Sequence, residues 1–138
     1  MEKPIKILSV EDDEFMRIFL KDVFWLHGIS NNFQFNVVEN IKKAEDCVAN
    51  PETKPDLIFL DVVLPDHIGG TLDKEGGLRF LQELKSNPET KNIKVVIFSA
   101  YGDKEIKEKA LKLGAEKYLL KGENLPQDLI RIAQELSR

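Results

Sequence analysis

The chain has 138 residues, enough for one substantial core and too few for two comfortable ones. With 42% hydrophobic and 32% charged residues it has the make-up of a folded globular protein, which excludes disordered and fibrous classes. A formal net charge of −4 argues against a nucleic-acid surface, which needs a basic patch, and leaves acidic groups free to meet a cation.

Ile5 to Val10 reads as a first strand. Glu11-Asp12-Asp13-Glu14 then opens a helix on which Phe15, Ile18, Phe19, Val23 and Leu26 recur near helical spacing, with Trp25 packing in the same helix and Gly28 as its stop. Acidic residues suit a first turn, since the helix dipole favours them there, but that does not explain why the polarity begins so abruptly at Glu11. Phe33 to Val38 alternates and reads as a second strand, followed by a helix through Ile41, Ala44, Cys47 and Val48 that ends near Asn50-Pro51. Cys47 is the single cysteine and reads as a small buried helical residue; one cysteine allows no internal disulfide and fits a reducing compartment.

The stretch Asp56 to Pro65 reads as a third strand, a short apolar run suited to burial on both faces, with Asp61 at its end. An aspartate abutting such a strand is costly unless other segments supply partners. A helix over Gly77 to Lys85 stops at Asn87-Pro88, and Val95 to Phe98 forms a fourth strand ending at Ser99-Ala100. A fourth helix carries Ile106, Ala110, Leu111 and Leu113; Lys117 to Leu120 is a fifth strand ending at Lys121, and the last helix begins after Asn124-Leu125-Pro126. Five strands alternating with five helices imply right-handed crossovers and a parallel sheet covered on both faces, in one domain spanning 1–138. No apolar run approaches a membrane span and the N-terminal one is too short for a signal peptide, so a cytoplasmic protein with no membrane partner is expected.

In an open parallel sheet ligands bind outside the carboxyl ends of the strands. Those ends offer Glu11 and Asp12, Asp61, Ser99 and Lys121. Carboxylates gathered in one cleft repel: two unit charges ~4 Å apart cost on the order of 4 kcal/mol at an effective dielectric of about 20. A divalent cation relieves this, and an all-oxygen set favours Mg²⁺ over zinc. Such a site also takes a phosphoryl group, whose three peripheral oxygens would be met by the metal, by the Ser99 hydroxyl with the Ala100 amide, and by the Lys121 ammonium. Asp61 would then be the nucleophile.

The acidic pair in Ile7-Leu8-Ser9-Val10-Glu11-Asp12-Asp13, Asp61 in Leu60-Asp61-Val62-Val63-Leu64-Pro65, Ser99-Ala100 and Tyr118-Leu119-Leu120-Lys121, in that order, resemble the receiver domain of two-component response regulators over nearly the whole chain. The resemblance implies a flavodoxin-like doubly wound sheet of strand order 2-1-3-4-5. It implies that Asp61 accepts a phosphoryl group from a phosphohistidine on a sensor histidine kinase or histidine phosphotransfer protein, with Mg²⁺ held by Asp12, Asp61 and the Val63 carbonyl and with Glu11 acting through water. It further implies a two-state switch in which Ser99 and Tyr118 move and a downstream protein reads the face of the fourth helix, fifth strand and fifth helix; a phosphorylation-dependent homodimer is compatible with it.

Two features depart from the family pattern. The connection Asp66 to Gly76 is roughly eight residues longer than usual, which suits a lid or binding loop and equally a tolerated surface loop. Gly122 stands where the family usually has proline after the lysine, often with a cis bond, so a trans or visibly strained Lys121–Gly122 bond is expected. Val63 and Tyr101, two residues beyond Asp61 and Ser99, are bulky and carry neither carboxylate nor amide, which predicts slow hydrolysis of the phosphoryl group. His27 and His67 lack metal-ligand spacing. The rival readings are a pseudo-receiver that binds partners without being phosphorylated, and an aspartate-nucleophile phosphatase, which wants an acid where Val63 stands. No phosphate-binding Gly-x-x-x-x-Gly-Lys loop and no Gly-x-Gly-x-x-Gly is present.

Overall fold

A computed structural model describes residues 3–137, with no account of the side chains of residues 29, 30 and 126. The elements run β1 (Ile5–Val10), α1 (Glu14–Asn31), β2 (Phe33–Val38), α2 (Ile41–Ala49), β3 (Leu57–Leu60), β4 (Leu64–Pro65), β5 (Leu72–Asp73), α3 (Gly76–Ser86), β6 (Lys94–Ser99), α4 (Lys104–Lys112), β7 (Lys117–Leu120) and α5 (Pro126–Leu136). The main sheet is parallel with order β2-β1-β3-β6-β7, which is 2-1-3-4-5 when its own five strands are numbered along the chain.

The middle strand, β3, is apolar throughout because both faces are covered: Leu57, Ile58, Phe59 and Leu60 are all buried. One core layer lies under α2, α3 and α4 and includes Leu8, Ile58, Leu81 and Ile97; the other lies under α1 and α5 and includes Ile7, Phe59, Val96 and Leu129. In the second layer Phe24 stacks on Phe35, with ring centroids 4.3 Å apart and an interplanar angle of 1°.

The sequence misleads on which face of α1 is buried. Leu20 and Phe24 are buried with Met16 and Val23 beside them, whereas Phe15, Ile18, Phe19 and Leu26 face outward, Phe15 being 83% exposed. Trp25 does not pack either, at 72% exposed. The helix also starts later and ends later than its residues suggest. Asp13 is the N-cap, its carboxylate accepting from the Phe15 amide at 3.1 Å, so Glu11 to Asp13 form a turn outside the helix. The helix runs through Gly28 to Asn31, and Asn32, at φ 57°, supplies the left-handed residue while its N–H donates to the Gly28 carbonyl. Cys47 is half-buried on α2 rather than enclosed.

The long connection is not a bare loop. Leu64 pairs with Asp73 and Pro65 with Leu72 in a small antiparallel ribbon, β4–β5. Asp73 forms an ion pair with Arg79, Glu75 pairs with Lys109 of α4 at 2.5 Å, and the Asp66 carbonyl accepts the Lys42 amide at the start of α2, at 2.8 Å. Ile68 and Leu72 remain exposed on it.

Candidate functional site

Each strand of the centre delivers one polar group to the same end of the sheet. β1 ends at Glu11 and Asp12, and the Glu11 amide donates to the Val38 carbonyl at 2.9 Å, which extends the pairing one residue past β1. β3 ends at Asp61, whose amide donates to the Val10 carbonyl at 3.2 Å and keeps it level with the acidic pair. Asp61 is 7% exposed; Oδ1 accepts from the Val62 amide at 2.7 Å and the Val63 amide at 3.4 Å, while Oδ2 accepts from Lys121 Nζ at 2.9 Å.

Close approach of α3 fixes the loop behind Asp61. The Gly77 amide donates to the Val62 carbonyl at 2.8 Å, and a Cβ at Gly77 would lie 1.9 Å from the Asp61 carbonyl oxygen, so only glycine fits. Gly76, next to it, would place a Cβ 2.9 Å from the Leu64 carbonyl.

Lys121 is the cation of the site. Its ammonium bridges Asp61 and Glu11 and stands 5.8 Å from the centroid of the Phe98 ring. Burial works to lower its pKa, but the charge of Asp61 and the contacts with Glu11 outweigh that and raise it, so it stays charged. The peptide bond between Lys121 and Gly122 is trans.

Glu11 is 2% exposed, and its carboxyl is pushed up to about 7 by burial, with Asp61 adding to the effect and Lys121 opposing it. Asp12 is also raised, by burial first and by the Asp61 charge second. One carboxylate oxygen from each of Glu11, Asp12 and Asp61 lies within 4.8 Å of the others, the one such group of possible metal ligands among the described residues. His27 and His67 are not part of it. Three carboxylates against one ammonium leave an excess of negative charge, and an oxygen-only donor set fits a hard dication such as Mg²⁺.

The remaining strand-end groups surround this centre. Ser99 is fully buried and its Oγ accepts from the Tyr101 amide at 3.1 Å, while Ala100 is exposed. Tyr118 is half-buried; its hydroxyl donates to the Tyr101 carbonyl at 2.6 Å, and burial raises its pKa. Val63 is half-buried beside Asp61, and the Tyr101 side chain is largely exposed. Two residues went unnoticed in the sequence. Gly77 is flagged only by the Gly76-Gly77 pair at a helix start, and Arg17 only by being a cation one helical turn beyond an acidic segment.

A doubly wound α/β domain with a lysine-bridged acidic cluster at its carboxyl edge is thus the class that fold and site define. The model of the response regulator receiver domain matches residues 7–134, and the chain belongs to that family, the receiver domains of two-component systems. It is 34% identical over 116 residues to the phosphate regulon transcriptional regulatory protein PhoB of Escherichia coli strain K12, covering 84% of this chain and 44% of that protein. It is 28% identical over 117 residues to the chemotaxis protein CheY of Thermotoga maritima, covering 84% of each. The Mn²⁺-bound form of the response regulator Rcp1 superposes with a TM-score of 0.72 at 26% identity, over 97% of this chain and 92% of that one. The chain spans about half the length of two further relatives it matches, PhoB of Rhizobium meliloti (52%) and the response regulator protein VraR of Staphylococcus saprophyticus (50%). Among the described residues no helix is long and apolar enough to cross a membrane.

Proposed function

We propose that the domain is a phosphorylatable receiver in which Asp61 accepts a phosphoryl group from a phosphohistidine. The observation that carries this is the buried Asp61 carboxylate held at 2.9 Å from Lys121 within a three-carboxylate cluster. In the transfer, an Asp61 oxygen forms a bond to phosphorus as the phosphorus–nitrogen bond of the donor imidazole breaks, and the imidazole leaves. Lys121 stands where it can pair with one phosphoryl oxygen, and the Ser99 hydroxyl with the Ala100 amide can meet another. Asp12, Asp61 and the Val63 carbonyl would hold Mg²⁺, with Glu11 acting through water. An ion held there would supply charge neutralisation for the acceptor and the phosphoryl oxygens. The similar Rcp1 has an Mn²⁺-bound form, which is in keeping with a divalent ion as the partner of the acidic cluster.

The exposed residues Phe15, Ile18 and Phe19 follow the acidic turn directly, which makes the start of α1 the surface a phosphodonor protein covers. Output runs through Ser99 and Tyr118 to the face of α4, β7 and α5, read by a protein target and compatible with a phosphorylation-dependent homodimer, in the cytoplasm, without direct nucleic-acid contact. Residues 1–138 act as one receiver domain.

Incubation with Mg²⁺ and acetyl phosphate followed by intact-mass measurement tests the reading. A phosphate mass gain that Asp61→Asn abolishes is expected. No gain in the wild-type protein would favour the pseudo-receiver. A second arm separates donor docking from chemistry: Phe15→Ser with Ile18→Ser should slow transfer from a phosphohistidine protein while leaving the acetyl phosphate reaction intact.

A further inference from the structure

We infer that Arg17 is a positioning residue for the acidic turn, setting the affinity of the site for Mg²⁺ without touching the ion or the phosphoryl group. The inference rests on the metal reading of Glu11, Asp12 and Asp61 proposed above. Arg17 Nη1 donates to the carbonyl oxygens of both Glu11, at 3.0 Å, and Asp12, at 2.7 Å. Its Nη2 lies 3.6 Å from Glu39, which is itself paired with Lys43 of α2 at 2.5 Å. The side chain is only 19% exposed, so the fork is packed in place.

The turn needs such a clamp. Residues 11–13 lie beyond the end of β1 and before the first residue of α1. On the donor side, the Glu11 amide is tied to β2 and the Asp13 amide to the Glu11 carboxylate at 3.2 Å. On the acceptor side, the guanidinium takes two successive carbonyls at once, and that fixes the path of the backbone between the two carboxylates that must converge on Asp61. Two of the three metal-facing carboxylates thus depend on one cation whose ion pair is with Glu39 and not with either of them. Groups that hold ligands in place, rather than ligate, commonly account for about 10- to 100-fold of metal affinity.

Mg²⁺ binding to the isolated protein, followed by isothermal titration calorimetry at a temperature well below unfolding, tests this in the wild type, Arg17→Met and Arg17→Lys. Methionine keeps much of the apolar stem and removes every donor; lysine keeps the charge and one point of donation. A Kd raised about 10-fold or more is expected for Arg17→Met, with Arg17→Lys in between. The rate of phosphorylation by acetyl phosphate should recover at high Mg²⁺ in both, because the acceptor and Lys121 are untouched. Circular dichroism identifies which variants are folded. Wild-type Mg²⁺ affinity in either folded variant overturns the role of Arg17 and leaves the metal site standing. Failure of the wild-type protein to bind Mg²⁺ overturns both.

Discussion

At the scale of single residues, the site stores its instability in Glu11. A carboxyl held at about 7 in the folded protein, against 4.5 as its ordinary value, keeps its proton over a pH range in which the unfolded chain has lost it. Between about 4.5 and 7 the folded state therefore binds more protons, and stability falls as pH rises through that window. Asp12, raised as well, adds to the same slope. In metal-free buffer the urea midpoint should drop from pH 5 to pH 8, and Glu11→Gln should flatten part of that drop; an unchanged slope in the variant would show that Glu11 does not titrate there. Gly77 bears on the same centre through space rather than charge. Since a Cβ would collide with the Asp61 carbonyl, Gly77→Ala must push α3 away from the loop holding Asp61 to Val63. A loss of about 1–3 kcal/mol or more in equilibrium unfolding is expected, together with slower phosphorylation by acetyl phosphate.

At the scale of elements, strands were easier to read than helix faces. β1, β2 and β7 start and stop where their alternation or apolar runs indicate, because turn residues bracket each. The acidic pair, Asp61, Ser99 and Lys121 were legible for a related reason: each is the polar residue that ends an apolar strand, and a parallel sheet brings such ends together. α1 was misread because it carries two apolar stripes. Met16, Leu20, Val23 and Phe24 satisfy helical spacing as well as the expected Phe15, Ile18, Phe19, Val23 and Leu26 do; only Val23 is common to both, and periodicity does not say which stripe meets the sheet. The stacking of Phe24 on Phe35 belongs to the first stripe, and contacts between elements are what sequence spacing omits. Phe24→Ala should therefore cost about 3–5 kcal/mol. By contrast, Trp25→Ala should move stability by no more than about 0.5 kcal/mol. Equal losses in denaturant unfolding would mean that Trp25 is covered. The β4–β5 ribbon was missed for a different reason: two residues per strand are too few to show any period.

At the scale of the whole molecule, two connections lead away from Asp61. One runs along the connection that carries the ribbon to Glu75, the N-cap of α3, which pairs with Lys109 on α4; at the surface such a pair contributes little, about 0–1 kcal/mol, so it biases α4 rather than fixes it. The other runs through Tyr101, whose amide donates to Ser99 and whose carbonyl accepts from Tyr118, so the same residue joins the fourth and fifth strands of the main sheet at the mouth of the site. Its side chain, however, points largely to solvent, and Val63 on the other flank is half-buried and apolar. On the proposed reading, water approaching a phosphoryl group on Asp61 would meet two side chains with neither carboxylate nor amide to orient it, and slow hydrolysis is the expected outcome. Replacing the Tyr101 side chain leaves both of its backbone hydrogen bonds available, so lifetime can be altered without dismantling the link to Tyr118. Tyr101→Gln, and more strongly the double variant with Val63→Asn, should shorten the half-life of the phosphorylated protein by several-fold or more, as general acid–base assistance is worth up to about 10²–10⁴-fold. Intact mass followed over time after removal of acetyl phosphate measures it. A wild-type half-life already as short as that of the double variant would sink the argument.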